Sequence, residues 1–242
     1  MPIVQSTVER ETEVPVRQPG VRVVAGRLDV GEDAAAALSA WLSPEELARA
    51  QRCHFERDRR RYIVARARLR ELLAEVLGAS PETIRFEDGE HGKPMLGGRH
   101  RGSGWHFNLS RCGDLALYAL SAGRRVGVDV EAVREVRGAE EIAMHCFSRR
   151  ERLAWRALDP AERLLGFLNC WTRKEAFVKA LGTGMSFSYD RFDVSLVPGA
   201  PACLLRLDDR PGHECAWEIE AFEPREGFVA ALACERRTAC SA

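Results

Sequence analysis

Two short stretches carry residue types that together could do phosphoryl-group chemistry. One is Trp171-Thr172-Arg173-Lys174-Glu175-Ala176-Phe177-Val178-Lys179, and the other is Gly127-Val128-Asp129-Val130-Glu131. On a helix, Glu175 and Lys179 stand four residues apart and share a face. On a strand, Asp129 and Glu131 alternate with valines, so both carboxylates point to one side, roughly 6.6 Å apart at Cα. Three carboxylates and a lysine can then converge. Hard oxygen donors beside cationic groups suit Mg²⁺ and a phosphate-bearing substrate. Taken singly, each stretch has a plainer reading. Glu followed by Lys four residues on is a common exposed helix pair contributing a few tenths of a kcal/mol, and Asp129 with Glu131 could be a solvated strand end.

Further cationic groups lie upstream. Gly92-Lys93-Pro94 is a turn with a lysine held on it, or an ordinary loop. Phe107-Asn108-Leu109-Ser110-Arg111-Cys112-Gly113-Asp114 places Ser110 and Arg111 between apolar runs, beside a glycine whose backbone could approach an anion. From Arg49 to Arg70 there are nine arginines against Glu56 and Asp58. Such a run is most often a solvated helix face, with a phosphate-rich ligand as the alternative.

The elements that must position these groups follow from periodicity and caps. An opening strand is expected at 21–28. Ser43-Pro44-Glu45-Glu46 reads as a helix start with a capping box, and a second helix is expected over 58–77, stopped by Gly78. Strands follow at 83–87, 105–109, 115–120 and 125–130. Helices are then expected near 138–146, 148–158 and 161–181, and strands near 192–197, 203–207, 217–222 and 228–234. Runs of helices and runs of strands without strict alternation predict an α+β fold. No strong internal sequence repeat is evident. Residues 1–20 and 236–242 read as tails.

The 242 residues suffice for one large domain or two closely packed halves. Equal numbers of basic and acidic residues, 36 of each, argue against a general nucleic-acid or membrane binder. Eight cysteines without a Cys-x-x-Cys spacing predict reduced thiols and a cytoplasmic location. The first twenty residues lack the apolar segment of a secretory signal or anchor. Gly182-Thr183-Gly184 lacks the third glycine of a dinucleotide fingerprint and reads as a helix stop. The six histidines show no zinc spacing.

Gly-Lys-Pro at 92–94, Phe-Asn-Leu-Ser at 107–110, Gly-Val-Asp-Val-Glu at 127–131 and Trp-Thr-Arg-Lys-Glu-Ala-Phe-Val-Lys at 171–179 occur in that order. The combination resembles the 4′-phosphopantetheinyl transferases, specifically the long single-chain Sfp type, from about Ser43 to the strand around Phe228. The resemblance implies transfer of the 4′-phosphopantetheine arm of coenzyme A to a serine of an apo acyl or peptidyl carrier protein. Adenosine 3′,5′-bisphosphate is the implied by-product, and fatty-acid, polyketide and nonribosomal-peptide carriers are the implied acceptors. It also implies an α+β pseudo-dimer, with halves at 21–122 and 123–235, coenzyme A in the cleft between them, and a functional monomer.

Residue by residue, the resemblance makes Asp129, Glu131 and Glu175 the Mg²⁺ ligands, and Lys179 the lysine beside the pyrophosphate. Glu175, directly or through a water, is the implied proton acceptor. Lys93, Pro94 and Ser110 match positions at the adenosine end. Arg49, Arg52 and Arg61 fall where relatives place phosphate-binding cations. Lys174 is a further phosphate candidate, ranked below Lys179 because adjacent helical residues do not share a face. Arg111 stands where relatives commonly have histidine. Arginine keeps the cation and adds a fork suited to phosphate, but makes proton transfer there implausible. The competing expectation is a non-catalytic relative that binds coenzyme A or the carrier, disfavoured because a pure binder has no need of the full acidic set.

Overall fold

The computed structural model describes residues 11–184, 187–208 and 212–237. Its first half comprises β1 (Thr12–Val14), β2 (Val21–Arg27), α1 (Glu32–Ser39), α2 (Pro44–Gln51), α3 (Glu56–Leu77), β3 (Phe86–Asp88), β4 (Pro94–Leu96), β5 (Trp105–Cys112) and β6 (Leu115–Ala122). The second comprises β7 (Val126–Ala132), α4 (Ala139–Cys146), α5 (Arg149–Arg156), α6 (Arg163–Leu181), β8 (Phe192–Val194), β9 (Leu204–Leu207), β10 (Trp217–Phe222) and β11 (Phe228–Glu235). The mixture of helices and antiparallel sheets is the expected α+β class. Among the described residues no helix is long and apolar enough to cross a membrane, and the described cysteines are all free thiols.

One order of elements occurs twice. A strand (β2 or β7) leads through two short helices into a long one (α3 or α6). A two-stranded hairpin follows (β3–β4 or β8–β9), then two long strands, the last of which pairs with the first. The sheets accordingly run β1-β2-β6-β5 and β7-β11-β10, all antiparallel. The short helix before each long helix opens on a full capping box, Ser43 with Glu46 and Ser148 with Glu151. Each box glutamate then holds a buried cation of the long helix. Glu46 pairs with Arg70 at 2.6 Å and Glu151 with Lys174 at 2.8 Å. Each cation also donates to two carbonyls beyond its helix, Arg70 to Pro81 and Ile84, Lys174 to Tyr189 and Phe192. This repeat is absent from a plain reading of the sequence because arginine replaces lysine and the loop lengths differ.

Among the described residues, three apolar clusters hold the layers. Val64, Leu69 and Leu73 of α3 pack on Phe107, Tyr118 and Leu120 of the first sheet, while Phe177 of α6 packs with Phe147, Phe192, Trp217 and Ala231 in the second half. The third cluster joins the halves: Val23, Leu117 and Ala119 meet Val126, Val128, Val130 and Leu232. The odd–even alternation of β7 therefore turns its valines toward the first half and leaves Gly127, Asp129 and Glu131 for the opposite face, under α6.

Two expectations are corrected. The stretch 1–20 is not wholly a tail, since β1 pairs with β2 and Val14 and Val16 pack against the third cluster. The backbone N–H of Arg17 also donates to the Glu220 carboxylate at 2.9 Å. Residues 1–10 and 238–242 of the expected tails lie outside the described residues. The strand expected at 83–87 is the short hairpin β3–β4, which places Gly92-Lys93 in its turn. Helix α1, which carries no polar side-chain cap, was not expected from the sequence.

Candidate active site

Strand β5 and strand β7 meet along the seam between the halves through side chains. Asn108, Ser110 and Cys112, two apart and so on one face of β5, each serve β7. Asn108 Oδ1 accepts from the Val128 N–H at 2.8 Å, Ser110 Oγ donates to Asp129 Oδ1 at 2.8 Å, and Cys112 Sγ accepts from the Ala132 N–H at 3.3 Å. The Asn-Leu-Ser segment is thus a strap for the acidic strand as well as a candidate ligand contact.

Helix α6 lies directly over Gly127. A Cβ at that position would fall 2.2 Å from the Ala176 carbonyl oxygen and 2.3 Å from the Ala180 nitrogen, so only glycine permits this approach. The closeness brings Lys179 Nζ to 2.5 Å from Asp129 Oδ1 and 3.1 Å from Ser110 Oγ. Glu175, one turn back on the same face, has Oε2 3.8 Å from that ammonium.

An open groove results, of about 380 Å³, lined by Leu109, Ser110, Arg111, Asp129, Glu131, Trp171, Glu175 and Lys179. Six of the residues expected at the site, Ser110, Arg111, Asp129, Glu131, Glu175 and Lys179, therefore share one cavity. Asp129 is buried, and burial pushes its carboxyl up to about 6 against the opposing pull of the Lys179 ammonium and the Ser110 hydroxyl. Its Oδ2 is buried without a hydrogen-bond partner. Glu131 Oε1 accepts from Trp171 Nε1 at 3.2 Å and its Oε2 lies 3.6 Å from Cys112 Sγ. Arg111 is exposed at the rim, its guanidinium 5.6 Å from the centre of the Tyr62 ring on α3.

The implied Mg²⁺ calls for hard oxygen donors. Among the described residues no acidic, histidine or cysteine side chains close into a ready-made metal cluster. The chemistry nevertheless fits. The lining supplies only carboxylate oxygens as anionic donors, as suits Mg²⁺, and Asp129 Oδ2 is a buried lone-pair site without a hydrogen-bond partner among the described residues.

The other expected residues stand elsewhere. Lys174 is fully buried, and its ammonium faces Glu151 and the carbonyls of Tyr189 and Phe192 at 2.5–2.8 Å. Three donors meet three acceptors, so the expectation that it binds phosphate is corrected: it is a structural cation. Arg61 is engaged by both oxygens of Asp29, at 2.6 and 2.8 Å. Arg49 lies 3.6 Å from Asp88, and Arg52 is exposed at the end of α2. None of these three lines the groove. Lys93 reaches from the β3–β4 hairpin across to the second half, donating to the Val126 carbonyl at 3.0 Å. Burial depresses its ammonium to about 8, with the Arg125 charge adding to the effect. Pro94 opens β4 beside it.

Sequence reasoning missed Tyr189. Its hydroxyl donates to Glu175 Oε1 at 2.6 Å and its ring stacks on Trp171, with centroids 6.2 Å apart and planes inclined by 15°. Tyr189 sits in a single 3-10 turn, Tyr189–Arg191, that carries no periodicity to read.

Comparison with known proteins identifies the family. Residues 125–233 match the model of the 4′-phosphopantetheinyl transferase superfamily, and residues 31–123 match that of the 4′-phosphopantetheinyl transferase N-terminal region. The 4′-phosphopantetheinyl transferase HetI of a Nostoc species is 37% identical over 85% of this chain and 84% of its own. Psf-1 of Bacillus pumilus, also a 4′-phosphopantetheinyl transferase, is 31% identical over 84% and 83%. The 4′-phosphopantetheinyl transferase Sfp of Bacillus subtilis is 29% identical over 79% and 81%. The chain belongs to the 4′-phosphopantetheinyl transferase family. The shared activity is the transfer of phosphopantetheine.

Proposed function

We propose that the groove between Asp129 and Lys179 binds the pyrophosphate of coenzyme A with Mg²⁺, and that the enzyme modifies a serine of an apo acyl or peptidyl carrier protein. The observation that carries the reading is the convergence of Asp129, Glu131, Glu175 and Lys179 on one face of the seam, with Ser110 and Arg111 beside them.

Asp129, Glu131 and Glu175 would hold Mg²⁺, which would neutralise the crowded pyrophosphate charge. The chain's own groups do the rest. The carrier serine oxygen forms a bond to the phosphorus that carries the pantetheine arm, and that phosphorus parts from the bridging oxygen of the pyrophosphate. Adenosine 3′,5′-bisphosphate leaves with the bridging oxygen. Glu175, directly or through a water, accepts the serine proton, and its exposure to the groove gives an incoming hydroxyl access. Lys179 presents its ammonium to the departing phosphate, where fixed cations are worth most as charge develops.

Arg111, on the rim, is the proposed partner of the 3′-phosphate, since a guanidinium fork matches phosphate geometry. Lys93 is proposed at the nucleotide end. Among the described residues its ammonium has a carbonyl but no carboxylate for a partner, so an anion there would favour its charged form. Arg49, Arg52 and Arg61 are proposed as an outer field for the acidic ligands rather than as direct contacts. The halves 21–122 and 123–235, a monomeric working state and a cytoplasmic setting complete the proposal.

The test is intact mass. Incubation with coenzyme A, Mg²⁺ and a panel of apo carrier proteins should add one phosphopantetheine to the carrier serine, with equimolar release of adenosine 3′,5′-bisphosphate. No mass gain on any carrier, under conditions where the protein binds coenzyme A, would leave a binding protein instead of an enzyme.

A further inference from the structure

Glu175 and Lys179 have the spacing and order, acid before base by four residues, in which helical side chains close into an ion pair. Here the ion pair is long, its nearest atoms 3.8 Å apart and beyond hydrogen-bond reach, while Lys179 lies 2.5 Å from Asp129. The carboxylate of Glu175 is instead drawn to Tyr189, whose hydroxyl donates to Oε1 at 2.6 Å.

Tyr189 is itself held on two sides. Its carbonyl accepts from the buried Lys174 ammonium at 2.5 Å, and its ring stacks against Trp171, which donates from Nε1 to Glu131. The stacked pair thus carries one donor for each of the two outer carboxylates of the groove. Lys174 and Glu175 are neighbours on α6, and they grip the two ends of the same tyrosine.

We propose that Tyr189 is a positioning residue for phosphopantetheinyl transfer: its hydroxyl holds Glu175 out of hydrogen-bond contact with Lys179, so that the carboxylate stays available for the serine proton. This rests on the function proposed above for Glu175. Without the hydroxyl, Glu175 closes into direct hydrogen-bond contact with Lys179 and is lost as an acceptor for the serine proton. A phenol remains a donor across the neutral range, so the hold does not switch off under working conditions.

Tyr189→Phe keeps the ring and its stack and removes only the donor. Its turnover should fall on the order of 10-fold, the usual range for loss of a group that orients a ligand-binding side chain. The KM for coenzyme A and the melting temperature of the free protein should stay near wild type. In a Glu175→Gln background the same substitution should have little further effect, because the residue it orients is already disabled. A crystal structure of Tyr189→Phe should show Glu175 and Lys179 in direct hydrogen-bond contact. Turnover within twofold of wild type, additive losses in the double variant, or an unmoved Glu175 in the crystal would each overturn the proposal. The crystallographic arm stands apart from catalysis: if wild type transfers nothing, the functional reading fails while the hold on Glu175 is still tested.

Discussion

Gly127 and Ala176 are in backbone contact across the strand–helix interface, so close that the Cβ of any other residue at 127 would lie 2.2 Å from the Ala176 carbonyl oxygen. Two residues along β7 is Asp129, and one turn along α6 is Lys179. The glycine therefore sets the distance of the central acid–base pair. Gly127→Ala must push α6 off the sheet, and overpacking of this kind costs about 1–3 kcal/mol. Turnover should fall on the order of 10²-fold, as for a misplacement near 1 Å. Thermal melting and steady-state assays check both effects. A variant that melts and turns over like wild type would show that the interface gives way without moving the pair.

The buried Glu151–Lys174 pair should behave as a structural lock. Lys174→Met leaves a carboxylate buried without its cation and should destabilise the protein by about 3–5 kcal/mol. Adding Glu151→Gln, which keeps an acceptor for the capping box, should recover part of that loss, because a buried charge no longer lacks a partner. Denaturant melts of the two single variants and the double close the cycle. Coenzyme A affinity of the folded Lys174→Met fraction should match wild type. A selective loss of affinity without loss of stability would restore Lys174 to the binding site.

Much of the site was legible because its chemistry is confined to strictly periodic elements. The two-residue period of β7 puts Asp129 and Glu131 on one face, and the four-residue spacing on α6 puts Glu175 and Lys179 on another, so their convergence needed only that the faces meet. Burial was not legible. Lys174 differs from Lys179 only in the face it occupies, and that face is defined by Glu151, 23 positions earlier, through a loop whose path the sequence does not declare. Tyr189 escaped for the same reason, since it sits in a short 3-10 turn 14 positions after Glu175. The duplicated order of elements was hidden because Arg70 and Lys174 do the same work with different side chains.

Lys93 should give stability a pH dependence of known sign. Its folded ammonium titrates at about 8, below the ordinary lysine value of 10.5. Between these values the unfolded chain binds more protons than the native one, so this group makes stability rise as pH increases through that window. Other thiols and amines titrate there too, and the informative quantity is the difference between wild type and Lys93→Met in denaturant melts from about pH 7.5 to about pH 10. That difference should grow in favour of wild type as pH rises. A difference independent of pH would mean that Lys93 is solvated in the free protein.

Arg111 places a guanidinium at the rim of the site. Arg111→Ala should weaken coenzyme A binding while barely affecting dephospho-coenzyme A, which lacks the 3′-phosphate. Arg111→His should add a loss of coenzyme A affinity above a pKa near ~6.5, where an unperturbed imidazole becomes neutral. Calorimetric titration with both ligands across mildly acidic to mildly alkaline pH checks this. Equal losses for the two ligands would assign Arg111 to general support of the groove.

The central claim, that the acids under α6 carry the transfer, is tested most directly by timed intact-mass measurement of carrier modification by Asp129→Ala and Glu175→Gln at saturating Mg²⁺. Removing charge-stabilising groups of this kind costs on the order of 10²-fold or more, and both variants should show that loss while the free proteins melt near wild type. If both variants modify the carrier at more than half the wild-type rate, the reacting groups lie elsewhere and the groove is not the active site.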